Sequence, residues 1–253
     1  MSENLPYTQD VKVIRNEVTR LASSQVKTGR VIYQDDFNSF TAALSEKYIQ
    51  SAGTAALDTS HPYMGKTCAK LTTGATAGNQ AGMKRIFGVY NYLWATQPWR
   101  MGLEFHWMST ATLANLRYLY VKFILFDGTN RTEGFVRYEG TVTAAQQKWQ
   151  YQDNTGAWVN FNTPGDIIDL AAADLCYNEF KLIIQHQAQQ LCTLWSNDWM
   201  RAQFQPLNVV ADVSAPGISF EILLETETNT AISAYISDII VTDEEITDGS
   251  QLP

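Results

Sequence analysis

A chain of 253 residues with 45% hydrophobic side chains, 7 Trp, 12 Tyr and 11 Phe carries too much apolar surface to stay unfolded, and its length suits one large β domain. A formal charge of -8, without a lysine or arginine cluster, excludes nucleic-acid binding through phosphate neutralisation, which needs a basic face. No apolar run reaches membrane-spanning length, and "MSENLPYTQD" lacks the charged-then-apolar layout of a signal peptide, so the expectation is a product made in a cytoplasm with no membrane partner.

Residues 1–29 read as an N-terminal arm. In "TQDVKVIRNEVTRLASS" the residues Val11, Ile14, Val18 and Leu21 recur at helical spacing, with Lys12, Arg15, Asn16 and Arg20 on the opposite side. Thr8 or Asp10 caps the start of this helix, and Gly29 marks its exit. The stripe is too short for an autonomous coiled coil, so it must dock on its own domain, a symmetry mate or a larger assembly.

From Arg30 the texture changes to short β-type runs separated by Gly, Asn, Asp and Pro, among them "RVIYQDDF", "RMGLEFHWMST", "LRYLYVKFILF", "TEGFVRYEG", "EFKLIIQHQ", "ISFEILLETE" and "ISAYISDIIVTDE". Many evenly spaced strands with turn residues between them predict a sandwich or barrel over residues 30–245. The segment "PGDIIDLAAADLCYNEF" breaks the alternation and has room for a helical turn, and residues 246–253 form an acidic, polar tail. Cys68, Cys176 and Cys192 are odd in number and lack CxxC spacing, which predicts buried free thiols.

Two hairpins can be read in register. In "KWQYQDNTGAWVNF" a four-residue loop, Asp153 to Gly156, pairs Tyr151 with Trp158 and sets Trp149, Tyr151 and Trp158 on one face. In "LCTLWSNDWMRAQF" a two-residue loop at Asn197 and Asp198 pairs Ser196 with Trp199, Trp195 with Met200, Thr193 with Ala202 and Leu191 with Phe204. Strict alternation then sends Leu191, Thr193 and Trp195 to the core and Trp199 to the other face, beside Cys192, Leu194 and Arg201.

The order of these pieces resembles the concanavalin A-like lectin and glucanase superfamily. The resemblance rests on the acidic-acidic-aromatic step "YQDDF" at Tyr33 to Phe37, the closing "AYISDIIV", and the strand-plus-hairpin "EFKLIIQHQAQQLCTLWSNDWMRAQF", and it spans residues 30–243. It implies an all-β, two-sheet antiparallel jelly-roll sandwich whose first and last strands are neighbours. The superfamily includes glycoside hydrolases, lectins, binding modules and virion proteins, so the fold does not choose a function.

Glycoside hydrolysis needs paired carboxyl groups, and the Glu-x-Asp-x-x-Glu strand of laminarinase-type relatives is missing. Glu104 shares a strand face with His106, and Glu221 with Glu225, which leaves them either inward acids or solvent-facing strand residues. His61, His106 and His186 stand in no triad or zinc context. Structural calcium, held by Asp35, Asp36, Asp238 or Asp127, is what the resemblance adds, but no EF-hand-like spacing supports it and no cofactor is expected. Aromatic rings that stack on sugars are offered by Tyr90, Tyr92, Trp94 and Trp99 in a Pro-containing connection and by Trp199, the candidate glycan contacts.

Three readings remain: a virion or assembly component, a carbohydrate-binding module, and a glycoside hydrolase. With an amphipathic arm and no signal peptide, the expectation is a non-enzymatic, oligomeric component of a phage-type virion, a capsid decoration or tail-associated protein. The arm residues Val11, Ile14, Val18 and Leu21 then contact self or other virion proteins, and glycan adhesion is a secondary role.

Overall fold

In "LRYLYVKFILF" the side chains of Leu119, Val121, Phe123 and Leu125 are buried, while Tyr118, Tyr120 and Lys122 between them stay partly exposed, as a strand with one packed face requires. The same period-two sorting recurs along the chain. A computed structural model describes residues 30–37, 46–49, 53–63, 67–88, 100–109, 115–140, 148–161, 177–186, 188–197 and 199–244. Residues 1–29, the 162–176 segment with Cys176, and the tail 246–253 lie outside the described residues, as do the arm positions Val11, Ile14, Val18 and Leu21.

The strands are β1 (Arg30–Asp35), β2 (Glu46–Ile49), β3 (Thr54–Asp58), β4 (Cys68–Thr72), β5 (Gln80–Gly88), β6 (Arg100–Ser109), β7 (Leu116–Phe126), β8 (Asn130–Glu139), β9 (Lys148–Gln152), β10 (Trp158–Asn160), β11 (Asn178–Gln185), β12 (Gln190–Ser196), β13 (Trp199–Pro206), β14 (Asn208–Ala211), β15 (Gly217–Thr226) and β16 (Ser233–Glu244). They form two 8-stranded sheets. Sheet A runs β13-β12-β11-β6-β16-β4-β3 with β1 beside β16; sheet B runs β10-β9-β8-β7-β15-β5-β2 with β14 beside β8. Neighbouring strands are antiparallel, for example β7 with β8 and β6 with β16. The first and last strands are neighbours, as the resemblance implied: Gln34 lies opposite Ile240, and Asp35 opposite Ile239.

Aromatic side chains from the two sheets interlock in the core. Trp107 of sheet A lies 6.1 Å from Tyr138 of sheet B; Tyr138 lies 5.5 Å from Trp149, and Trp149 lies 5.1 Å from Phe180 back in sheet A. The pairs are tilted, the arrangement ring quadrupoles favour. The sheets come close at Gly134, where a Cβ would meet Ile184 Cγ2 at 2.7 Å. Cys68 and Cys192 are free and buried, as expected, and burial pushes both thiols up to about 11.

A histidine links the sheets at one end. His186, after β11, contacts Thr132 Oγ1 of β8 through Nδ1 at 2.8 Å and the Asp127 carboxylate through Nε2 at 3.1 Å. Thr132 lies in β8, opposite Val209 of β14.

Both hairpin readings need correction. Between β9 and β10 the loop is one residue longer: Trp158 pairs with Gln152, Val159 with Tyr151 and Asn160 with Gln150. Asp153 closes it, its carboxylate accepting from the amides of Thr155 (2.8 Å) and Ala157 (3.0 Å) while its own amide donates to the Ala157 carbonyl at 3.0 Å. A one-residue slip exchanges faces, so Trp158 leaves the core face that Trp149 and Tyr151 keep.

In the β12–β13 hairpin the pairs Ser196 with Trp199, Trp195 with Met200 and Thr193 with Ala202 form as expected, but Leu191 meets Gln205, not Phe204. Against β11, Thr193 pairs with Ile183 and Leu191 with Ile184, which makes Cys192 the extra residue of a bulge, while against β13 the extra residue of the same step lies on β13, between Ala202 and Gln205. The bulge inverts the alternation. Leu191 and Leu194 both enter the core, whereas Trp195 stays partly exposed on the outer face of sheet A, opposite Lys181, whose Nζ is 5.5 Å from its ring.

Candidate functional site

Period-two alternation divides each strand of sheet B into a core side and an outer side. The outer side receives Tyr118, Tyr120 and Lys122 from β7, Glu133, Phe135, Arg137 and Glu139 from β8, Gln150 and Gln152 from β9, and Trp158 and Asn160 from β10. β15 adds Glu221, Leu223 and Glu225. These positions bring together an aromatic cluster and a chain of polar groups.

The aromatic cluster is contiguous. Tyr118 and Tyr120 are 5.2 Å apart, Tyr120 lies 5.8 Å from Phe135 and 6.2 Å from Trp158, and Phe135 meets Trp158 edge-on at 4.9 Å. The Arg137 guanidinium packs over two of these rings, 4.2 Å from Tyr118 and 4.0 Å from Trp158. Its Nε donates to Gln150 Oε1 at 2.7 Å, and Gln150 Nε2 donates to Asn160 Oδ1 at 2.8 Å. Cross-strand register creates this row: Asn160, Gln150, Arg137 and Tyr120 stand side by side on four adjacent strands.

Ion pairs frame the cluster. Glu225, buried on this face, accepts from Gln80 Nε2 at 2.7 Å and Arg117 Nη1 at 3.1 Å, and Arg117 Nε also meets Glu227 at 3.2 Å. Glu133 faces Lys122 at 3.3 Å and Arg131 at 2.8 Å, and Arg131 extends to Asp212 at 3.1 Å. Burial raises the Tyr120 phenol, and the Glu225 charge and hydrogen bond raise it further against the pull of Arg137, so the hydroxyl keeps its proton and can donate.

The outer face of sheet A is different. Glu104 is 5% exposed there, opposite Lys181 and Ile240, and His106 stacks on Tyr63 at 4.0 Å. The chain after β3 folds back over this face: His61 stacks on Tyr235 at 4.2 Å, Tyr63 meets Tyr177 at 5.1 Å, and the Tyr177 hydroxyl donates to the His61 carbonyl. Part of this surface is therefore roofed by the protein itself.

The sequence-predicted positions fall as follows. Tyr90, Tyr92, Trp94 and Trp99 lie outside the described residues. Trp199 takes the register position opposite Ser196, and its side chain lies outside the described residues. Glu104 and Glu221 are on different sheets and are not brought together; Glu221 and Glu225 share the outer face of β15. Of the carboxylates considered for calcium, Asp35 accepts from the Phe37 amide at 2.8 Å and the Tyr33 hydroxyl at 3.0 Å, and Asp127 accepts from the amides of Thr129 and Asn130 at 2.7 and 2.6 Å. Among the described residues no group of three or more His, Cys, Asp or Glu is placed to hold a metal ion.

Tyr118, Tyr120, Phe135, Arg137, Gln150 and Asn160 were not singled out from the sequence. The signal was present in "RYLYVKF" and "GFVRYEG", where aromatic and basic residues occupy the alternate positions that apolar core residues leave free.

No protein-family model and no curated protein matches the chain. Solved structures do. A carbohydrate esterase of the Shiga toxin-encoding bacteriophage phi24B aligns at TM-score 0.53 and 13% identity, over 86% of this chain and 100% of the other. The endo-β-1,4-glucuronan lyase of the fungus Trichoderma reesei aligns at TM-score 0.51 and 10% identity, over 86% and 100%. The cellulose-induced protein Cip1 aligns at TM-score 0.51 and 14% identity, over 83% and 96%. The chain is similar to these in fold, a two-sheet antiparallel β-sandwich.

Proposed function

We propose that this protein is a non-catalytic carbohydrate-binding sandwich that holds a glycan against the outer face of sheet B. One observation carries the reading: Tyr118, Tyr120, Phe135 and Trp158 form a contiguous aromatic cluster on the side of the sheet away from the core, bordered by Arg137, Gln150 and Asn160. Aromatic rings beside fixed amide and guanidinium donors match the alternating apolar and hydroxyl surfaces of a sugar. Two of the similar folds are named for carbohydrate chemistry, which supports the same ligand class.

The non-catalytic part rests on the carboxylates. Glu221 and Glu225 are four residues apart on β15, about 13 Å along the strand, whereas a glycosidase pair stands about 5–9.5 Å apart. The virion role takes second place, because it depends on residues 1–29, outside the described residues.

A glycan array followed by calorimetry tests the proposal. Binding is expected for the wild type and for Trp195→Ala, whose ring is on sheet A, and loss of binding for Trp158→Ala. Silence across the array, or turnover of any bound glycan, counts against it.

A further inference from the structure

We propose that the glycan is acidic, and that Arg137 takes the carboxylate of a uronic acid residue. This deepens the reading above and rests on it.

Most cations on the outer face of sheet B are paired with carboxylates. Arg117 is matched by Glu225 and Glu227, Lys122 by Glu133, Arg131 by Glu133 and Asp212, and Lys148 by Glu139. Lys84 stands opposite Glu221 in the strand register. Among the arginines of this face Arg137 is the exception: its cross-strand neighbours are Tyr120 and Gln150, and it has no salt bridge among the described residues, whereas Arg117 and Arg131 each have two. The chain has 26 acidic residues against 18 basic ones, so the lack of a partner does not reflect a shortage of acids.

The guanidinium is also held in place. Its Cζ lies over the rings of Tyr118 and Trp158, its Nε is committed to Gln150, and the group also hydrogen-bonds the Tyr120 hydroxyl. The remaining Nη hydrogens are what the fork offers a ligand. A planar carboxylate accepts two parallel N–H bonds from such an edge, a geometry that a neutral hydroxyl does not fill. The positioned fork loses little conformational freedom on binding. The Tyr120 hydroxyl next to it is held between Glu225 and Arg137. Beyond it, buried Gln150 holds the exposed Asn160 amide in the same row.

The test compares a polyglucuronate, the same polymer after reduction of its carboxyl groups to primary alcohols, and a sulfated glucan, by calorimetry on the full chain at fixed ionic strength. The wild type is expected to bind the polyuronate about 10–100-fold more tightly than its reduced form, the worth of a charge-assisted hydrogen bond. Arg137→Ala is expected to abolish that difference, weakening binding of the polyuronate more than that of the reduced polymer, and Arg137→Lys to restore part of it; equal melting temperatures check that the variants fold. Equal affinity for the polyuronate and the reduced polymer overturns the proposal and leaves the glycan reading intact. Tighter binding of the sulfated glucan overturns the carboxylate assignment. Failure to bind any of the three polymers removes the underlying reading as well.

Discussion

The guanidinium carbon of Arg137 sits 4.0 Å from the centroid of the Trp158 ring, across a register in which Trp158 opposes Gln152 and Arg137 opposes Gln150. The contact exists only because the β9–β10 turn is one residue longer than its sequence suggests. Strand pairing thus sets the composition of the candidate site.

This contact has a measurable energy. A double-mutant cycle of Arg137→Ala and Trp158→Ala, read from urea unfolding, is expected to give a coupling of about 0.5–2 kcal/mol, the range for a guanidinium on a partly desolvated indole. Zero coupling would mean that the two side chains are merely adjacent.

The two tryptophans of sheet B should respond very differently to truncation. Trp149, fully buried and touching Tyr138 and Phe180, is expected to cost about 3–5 kcal/mol as Trp149→Ala. Trp158, on the outer face, is expected to cost far less in stability while removing glycan binding. Comparable losses in a denaturation series would contradict the register.

Tyr138 offers a sharper test of the core. Its hydroxyl is buried with no hydrogen-bond partner among the described residues, and burial raises its phenol well above the ordinary range. Removing an unsatisfied polar atom removes its desolvation cost, so Tyr138→Phe is expected to leave stability unchanged or raise it by about 1 kcal/mol. A loss of more than that in the urea midpoint would show that the hydroxyl has a partner.

The acid limb of the stability curve should depend on Asp127. Burial raises its carboxyl, but the amides of Asn130 and Thr129 and the His186 ring outweigh that and hold it below its ordinary value. Because the folded pKa is depressed, the contribution is whole above about pH 4, the unfolded value, and disappears as pH falls through the folded pKa. Asp127→Asn is therefore expected to lower stability at neutral pH and to flatten its decline below pH 4 in a pH series of thermal melts. An unchanged acid limb would assign the effect to other carboxylates.

Gly82 tests the packing of the outer face. A Cβ there would lie 2.5 Å from the Ile222 carbonyl oxygen and 2.6 Å from Leu223 Cδ2. Backbone cannot yield as a flexible side chain can, so Gly82→Ala is expected to cost about 1–3 kcal/mol in chemical denaturation. A neutral result would mean that β5 and β15 are more loosely paired than their register indicates.

Much of the fold was legible in the residues because alternation is a local property. Each strand announces its core side through residues such as Leu119, Val121 and Phe123, and the resemblance carried by "YQDDF" and "AYISDIIV" pointed correctly to neighbouring first and last strands. The two-residue turn at Asn197 was equally readable, with Asn197 at a φ of 52° in the left-handed region that asparagine tolerates. The failures came where alternation was interrupted. Nothing in "LCTLW" marks Cys192 as bulged, so a strict period-two reading sent Trp195 inward and Leu194 outward, the reverse of what is found.

By itself, the sequence determined a sandwich or barrel of many short strands with buried free thiols at Cys68 and Cys192, since hydrophobic period and turn chemistry act over a few residues at a time, and the choice of two antiparallel sheets came from the resemblance. Only the tertiary structure decided which side chains share an outer face. Asn160, Gln150, Arg137 and Tyr120 come from four strands, and their alignment depends on the register of three pairings, one of which, β9 with β10, turns on a single residue of loop length. Since one residue of slip turns a strand's faces over, a site assembled across strands is fixed only when all of those registers are fixed together.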